Sequence, residues 1–121
     1  MEVPILKQGD FLIATIQAAL TDNDLRTFRS ALLDHVVRSR SRGIVIDVTA
    51  LDVLDSYGTR TLSEIALMTR LRGAETIIVG VQPEVAFAMV QLGLSLEGIT
   101  TALDLEEGLA YLNRKAKKLR S

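Results

Sequence analysis

The groups in this sequence best able to do chemistry sit together between Asp47 and Arg60, in the stretch DVTALDVLDSYGTR. Ser56 falls at an expected helix start there, and Asp52, Asp55, Tyr57, Thr59 and Arg60 surround it in sequence. A hydroxyl in that place suits phosphoryl transfer onto the protein, because the unbonded N–H groups and dipole of a helix N-terminus tolerate an added phosphate. It equally suits plain capping, by Ser56 or by Asp55 before it, since both side chains accept hydrogen bonds from first-turn amides. Asp47, Asp52 and Asp55 raise a third chemistry, a receiver-type or metal-dependent phosphotransfer site. That chemistry needs a lysine to balance the phosphoryl charge, and the strand-like segments after Asp47 hold none. The three acids are therefore expected to be caps and solvated loop carboxylates.

Other chemistries fail for want of the residues they need. Without cysteine the chain has no disulfide framework, thiolate nucleophile or cysteine-type zinc site. His35 is the single histidine and falls inside an amphipathic segment, so no Ser/His/Asp triad or multi-histidine metal centre can form within one chain. Neither GxGxxG nor a GxxxxGK loop ending in Ser or Thr occurs, which leaves nucleotide binding without local support. No catalytic residue, cofactor or metal is expected, and the chain is expected to bind partners rather than to act as an enzyme.

Charge narrows the partners. The net charge is −1, but Arg114, Lys115, Lys117, Lys118 and Arg120 all follow the last acid, Glu107, so the body ahead of them is acidic. An acidic body argues against nucleic acid, whose binding needs a basic face. The basic tail, residues 113–121, is expected to complement the negative end of a helix dipole and then fray into solvent. No apolar run approaches the roughly 18 residues of a membrane span. The opening MEVPILKQGD lacks the positive leader and apolar core of a secretory signal, so the cytoplasm is the expected compartment.

These residues need a scaffold, and 121 residues suffice for one domain, 1–121, with its own core. FLIATIQ, from Phe11, follows the turn residues Gly9 and Asp10 and is expected as a strand, with Val3 to Lys7 as its hairpin partner. Thr21 and Asp24 give a helix start, and Leu25, Phe28, Leu32 and Val36 recur at helical spacing to about Arg38. The continuous apolar run after Gly43 predicts a central strand covered on both faces, with Asp47 near its end. A second helix is expected from Asp55 or Ser56 to Gly73, a strand over Glu75 to Val81, and a short helix from Pro83 to Gly93. Ile99 to Leu103 supplies a last strand, and Leu105, Leu109 and Leu112 start a last helix. Alternating strands and helices imply an α/β fold, a mixed but mostly parallel sheet with about four helices packed against it.

GIVIDVTALDVLDS, RGAETIIVGVQPEVAFAMVQLG and TALDLEEGL together resemble the STAS domain family, which includes bacterial anti-sigma-factor antagonists. The resemblance covers nearly the whole chain. PILK, IDVT, LDS, GVQP and TALDLEEGL resemble the RsbS-type branch, small stressosome scaffolds and kinase antagonists. RsbR-type relatives resemble the same stretch but add an N-terminal sensory domain, for which this chain has no room. Simple anti-sigma-factor antagonists usually have DSSG where Asp55, Ser56, Tyr57 and Gly58 stand here. The resemblance implies a non-catalytic scaffold that sequesters an RsbT-type serine kinase and releases it when Ser56 is phosphorylated. Asp52, Asp55, Tyr57, Thr59 and Arg60 would meet the partner around that site. It further implies assembly with RsbR-type STAS proteins, resetting by an RsbX-type phosphatase, and self-association. Ala88 stands near a threonine that RsbR-like relatives phosphorylate, so no second site is transferred. A direct anti-sigma-factor antagonist of the phosphorylatable STAS type is the alternative.

Overall fold

The structure, a computed structural model, describes residues 2–96 and 98–120. Five strands and four helices follow in chain order: β1 (Ile5–Gln8), β2 (Phe11–Thr15), α1 (Asp22–Ser39), β3 (Gly43–Asp47), α2 (Ser56–Leu71), β4 (Glu75–Val79), α3 (Pro83–Gln91), β5 (Thr100–Ala102) and α4 (Leu105–Arg120). The expected order of elements is the observed one. Gly9 makes the tight turn of the opening hairpin with φ +61°, and β1 pairs antiparallel with β2. β2, β3, β4 and β5 are parallel, so the sheet has the sequential order β1-β2-β3-β4-β5.

Central β3 explains why its apolar run is continuous. Ile44 and Ile46 point into a core built with α1 and α2, through Phe28, Leu32, Val36, Leu62 and Ile65. Val45 points to the other face, where Phe11, Ile13, Ile77 and Val79 meet Leu112 of α4. Alternate side chains of one strand thus enter two different cores, which removes any polar alternation. Each fully buried Leu or Ile contributes about 1.5–3 kcal/mol.

Helix ends follow their sequence signals. Thr21 caps α1 in a capping box with Asp24: Thr21 Oγ1 accepts from the Asp24 amide at 3.0 Å, and Asp24 Oδ2 accepts from the Thr21 amide at 3.1 Å. Pro83 occupies the first turn of α3, where its missing N–H costs nothing. Residues 113–120 continue α4 rather than fraying after residue 112, and Lys115 reaches back to Glu75 at 3.0 Å. The side chains of Lys118 and Arg120, and Ser121, lie outside the described residues.

One end of the sheet collects the functional candidates. β2 through β5 finish there and the helices begin there, so Asp47 and the segment to Ser56 lie on the carboxyl edge of the sheet. The opposite end carries the strand starts and helix ends, marked by Gly43 against Leu112 and by the Lys115–Glu75 pair.

Candidate functional site

The segment joining β3 to α2 is fixed at both of its ends. Asp47, the last residue of β3, turns its carboxylate back so that Oδ1 accepts from the Thr49 amide at 2.9 Å and from the Thr49 hydroxyl at 2.6 Å. The Leu51 amide donates to the Val48 carbonyl at 2.9 Å, closing a turn that buries Leu51. At the far end Asp55 caps α2: its Oδ1 accepts from the Gly58 amide at 2.8 Å, and its carbonyl accepts from the Thr59 amide at 2.9 Å. Gly58 lets the chain close so tightly, because a Cβ there would meet Leu54 Cδ1 at 3.0 Å and Asp55 Oδ1 at 3.2 Å.

That geometry decides between the two capping candidates. Asp55 is the cap, so Ser56 is the first residue of α2, exposed, with no hydrogen-bond partner for its hydroxyl among the described residues. The amides of Ser56 and Tyr57 have no carbonyl within the helix, which leaves donors and the positive end of the helix dipole beside the hydroxyl.

The other expected site residues divide. Asp52 and Asp55 are exposed in the segment that leads into Ser56. Arg60 is exposed one turn along α2, at the spacing that brings its side chain over the same face. Tyr57 is half-buried and tied to α1, its hydroxyl accepting from Arg26 Nη1 at 3.4 Å. Thr59 does not join them. It is 4% exposed, its hydroxyl has no partner among the described residues, and it lies on the inward stripe of α2 with Leu62 and Ala66. A partner docking on the Ser56 face cannot reach it.

Two features of the site lie outside the expected residues. An apolar hollow of about 80 Å³ opens beside Asp55, lined by Ile16, Leu20, Leu25, Val53, Leu54 and Leu62. Val53 stands 66% exposed at this site, a large apolar side chain left in water. The second feature is the support given by the β4–α3 loop. Gly80 has φ +80° and no Cβ, which lets Thr49 pack directly against it, and Gln82 Nε2 donates to the Thr49 carbonyl at 2.5 Å. The motif GVQP therefore braces the loop that presents Ser56.

Among the described residues no group of three His, Cys, Asp or Glu side chains is placed to hold a metal ion. Asp47, the acid at the strand end where a receiver-type site would be built, is bonded to Thr49. No described helix is long and apolar enough to cross a membrane.

Sheet order and the helix after β3 fit one class, and the STAS domain model matches residues 2–108. The chain belongs to the STAS domain family. It is similar to a serine-to-glutamate variant of RsbS from Moorella thermoacetica, with 36% identity, TM-score 0.83, and coverage of 97% of this chain and 99% of that one. A chain from the molecular architecture of the stressosome is 37% identical with TM-score 0.78, covering 94% of this chain and 99% of its own. RsbT co-antagonist protein RsbRA of Bacillus subtilis (strain 168) is 33% identical over 78 residues, 64% of this chain and 28% of that protein. RsbT co-antagonist protein RsbRD of the same organism is 25% identical over 119 residues, 98% of this chain and 43% of the relative. The chain spans less than half the length of these curated relatives.

Proposed function

We propose that this chain is a non-catalytic scaffold of the stressosome type that captures an RsbT-type serine kinase on the Ser56 face and releases it when Ser56 is phosphorylated. The observation that carries this reading is the division of labour at the start of α2. Asp55 takes the cap and leaves the Ser56 hydroxyl exposed and unbonded. A modified serine must be reachable and must not be needed to hold its helix, and Ser56 meets both conditions.

The neighbouring features give the switch its direction. The apolar hollow and Val53 offer a kinase side chain a place to dock next to the hydroxyl. A phosphate adds about −1.5 to −2 charges beside Asp52 and Asp55, so a partner that had buried a neutral serine meets repulsion and a desolvation cost. A loss of about 2.7 kcal/mol weakens binding roughly a hundredfold. Likeness to RsbS and to RsbR co-antagonists supports assembly with RsbR-type STAS proteins and with further copies of this chain, and an RsbX-type phosphatase would reset Ser56.

The test is incubation with an RsbT-type kinase and ATP, site mapping by mass spectrometry, and binding of the kinase to unmodified, phosphorylated, Ser56→Ala and Ser56→Asp protein. Phosphate is expected on Ser56, with tight capture by Ser56→Ala, partial weakening by Ser56→Asp and a roughly hundredfold loss on phosphorylation. Phosphate confined to Ser63, or undiminished capture after modification of Ser56, would refute the switch. Capture of an anti-sigma-factor kinase in place of the RsbT-type kinase would support the direct antagonist instead.

A further inference from the structure

The amino edge of the sheet, at the far end of the domain from Ser56, gathers cations that the fold leaves unmatched. Arg42 leads into β3: its amide donates to the Asp10 carbonyl at 2.8 Å and its carbonyl accepts from the Glu75 amide at 3.0 Å, so the backbone is held on both sides. Its guanidinium is half-buried and has no hydrogen bond or ion pair among the described residues. With Arg70 and Lys115 it walls a slot of about 190 Å³ whose floor is Ala74, Leu112 and Ala116. Glu75 is the one acid lining the slot, and Lys115 already pairs with it at 3.0 Å. Arg70 donates to the Gly98 carbonyl, a neutral acceptor. Helix C-termini attract cations, and about −0.5 charge at the ends of α1 and α2 accounts for part of this surplus. Arg42 belongs to no helix, and Arg40, Arg72 and Arg114 stand exposed at the same end with no partner among the described residues. This end is therefore positive in a protein whose net charge is −1.

Cationic walls over an apolar floor call for an anion that brings apolar groups with it. Single-stranded nucleic acid needs aromatic platforms for its bases, and this end offers none: Tyr111 is half-buried with Lys115 over its ring at 5.8 Å from the centroid, and Phe11 is 7% exposed. A bilayer is flat and cannot follow a concave slot. A peptide supplies both parts, carboxylates that an arginine fork can take two at a time and aliphatic side chains for the floor. A second hollow, lined by Gln8, Phe11, Leu109 and Asn113, shares Ala116 with the slot and gives an extended chain a path onward. We propose that this slot binds an acidic segment of a partner protein, extended and carrying leucine-like side chains between its carboxylates. The site goes beyond kinase capture and is independent of Ser56, which lies at the other end of the sheet.

Fluorescence anisotropy with the full chain tests it, the probe being a labelled peptide of glutamates with interspersed leucines. Binding is expected at about 0.1 M salt and at least tenfold weaker at about 1 M, because the screening length falls from about 10 Å to about 3 Å over that range. The same peptide with glutamine for glutamate should bind at least tenfold more weakly, and so should polyglutamate, which brings nothing for the floor. Arg42→Glu should lose at least tenfold, as should Ala116→Leu, which fills the slot without changing its charge. Arg29→Glu makes the same charge change away from the slot, at the α1 residue that pairs with Glu64, and should bind like the parent. Circular dichroism checks that every variant is folded. If Arg42→Glu is unfolded, Arg42→Gln replaces it, with a loss of at least threefold expected.

No binding of the glutamate and leucine peptide, equal binding of its glutamine version, an Arg42 or Ala116 variant that binds like the parent, or an Arg29→Glu loss as large as that of Arg42→Glu would each overturn the site. Tighter binding of polyuridine RNA or of phosphatidylserine vesicles than of the peptide would overturn the acidic segment and assign this end to that polyanion. None of these outcomes bears on kinase capture, which is read on Ser56.

Discussion

Replacing Gly80 by alanine tests the brace beneath the Ser56 loop, and two separable costs set its magnitude. Gly80 has φ +80°, a conformation that costs an L-residue roughly 1–2 kcal/mol. The added Cβ would also overlap Thr49 Oγ1 and lie 3.0 Å from Thr49 Cβ and 3.1 Å from its Cα. Rotating the hydroxyl relieves only the first of these contacts and gives up the 2.6 Å bond to Asp47; shifting the backbone gives up the 2.5 Å bond from Gln82. Losing one or two hydrogen bonds adds about 0.5–1.5 kcal/mol each, for a total of about 2–4 kcal/mol. Gly93 supplies the control within the same chain: it has φ +69° with nothing within 4 Å of a built Cβ, so Gly93→Ala should cost only the backbone strain, about 1–2 kcal/mol. Urea denaturation of parent, Gly80→Ala and Gly93→Ala gives both differences directly, provided the slope with urea is unchanged. On the proposed function a second readout is the rate of Ser56 phosphorylation by an RsbT-type kinase, which Gly80→Ala should lower and Gly93→Ala should leave alone. Equal destabilisation by the two substitutions would show that Thr49 does not press on Gly80, and the role given to GVQP would fall.

Two further outcomes follow from packing and charge. Gly108→Ala should lower stability by about 1 kcal/mol despite a helix-propensity gain near 0.8–1 kcal/mol, because the new methyl meets buried Val79 Cγ1 at 2.8 Å and overpacking costs about 1–3 kcal/mol; thermal melting is the check, and a raised Tm would contradict it. The hydrogen bond that Lys115 donates to Glu75 raises the pKa of Lys115, so the pair's stabilisation is present below the ordinary lysine value and is lost as pH rises through the raised one. Lys115 is 45% exposed, which limits the gain to about 0.2–1 kcal/mol; Lys115→Met should cost that much at neutral pH and nothing once the lysine is deprotonated, as urea titrations at the two pH values would read.

Much of this architecture was legible because the chain carries its punctuation locally. Thr21 with Asp24, Pro83 and the apolar run from Ile44 act through neighbours within a few residues, and each element they announce is present. The choice between Asp55 and Ser56 as cap was not legible, since both residue types cap equally well and the answer depends on Gly58 admitting the Asp55 carboxylate. Thr59 was expected near the partner from its closeness to Ser56 in sequence, and sequence closeness does not report a side chain's direction: three residues on, Thr59 falls on the inward stripe with Leu62 and Ala66. The brace from Gly80 and Gln82 to Thr49 spans more than thirty positions, and a linear reading of GVQP as a family pattern carries no sign of that pairing. The hollow was likewise invisible, because its walls come from the β2–α1 connection, α1, the β3–α2 loop and α2.

The arrangement at α2 also explains how one covalent change can act on binding without acting against the fold. The cap bond belongs to Asp55, so a phosphate on Ser56 breaks no hydrogen bond of the resting domain. It would find the Ser56 and Tyr57 amides, the helix dipole and Arg60 one turn on, each of which favours an anion at that place. The folded state therefore tolerates the modification or gains from it. In the proposed switch a docked partner would experience the opposite. An apolar contact with Val53 and the hollow would require dry surface next to the hydroxyl, and a hydrated dianion beside Asp55 would deny it that. Under the proposed switch stability and docking respond with opposite signs, so the modified domain would stay folded in an assembly while letting the partner go.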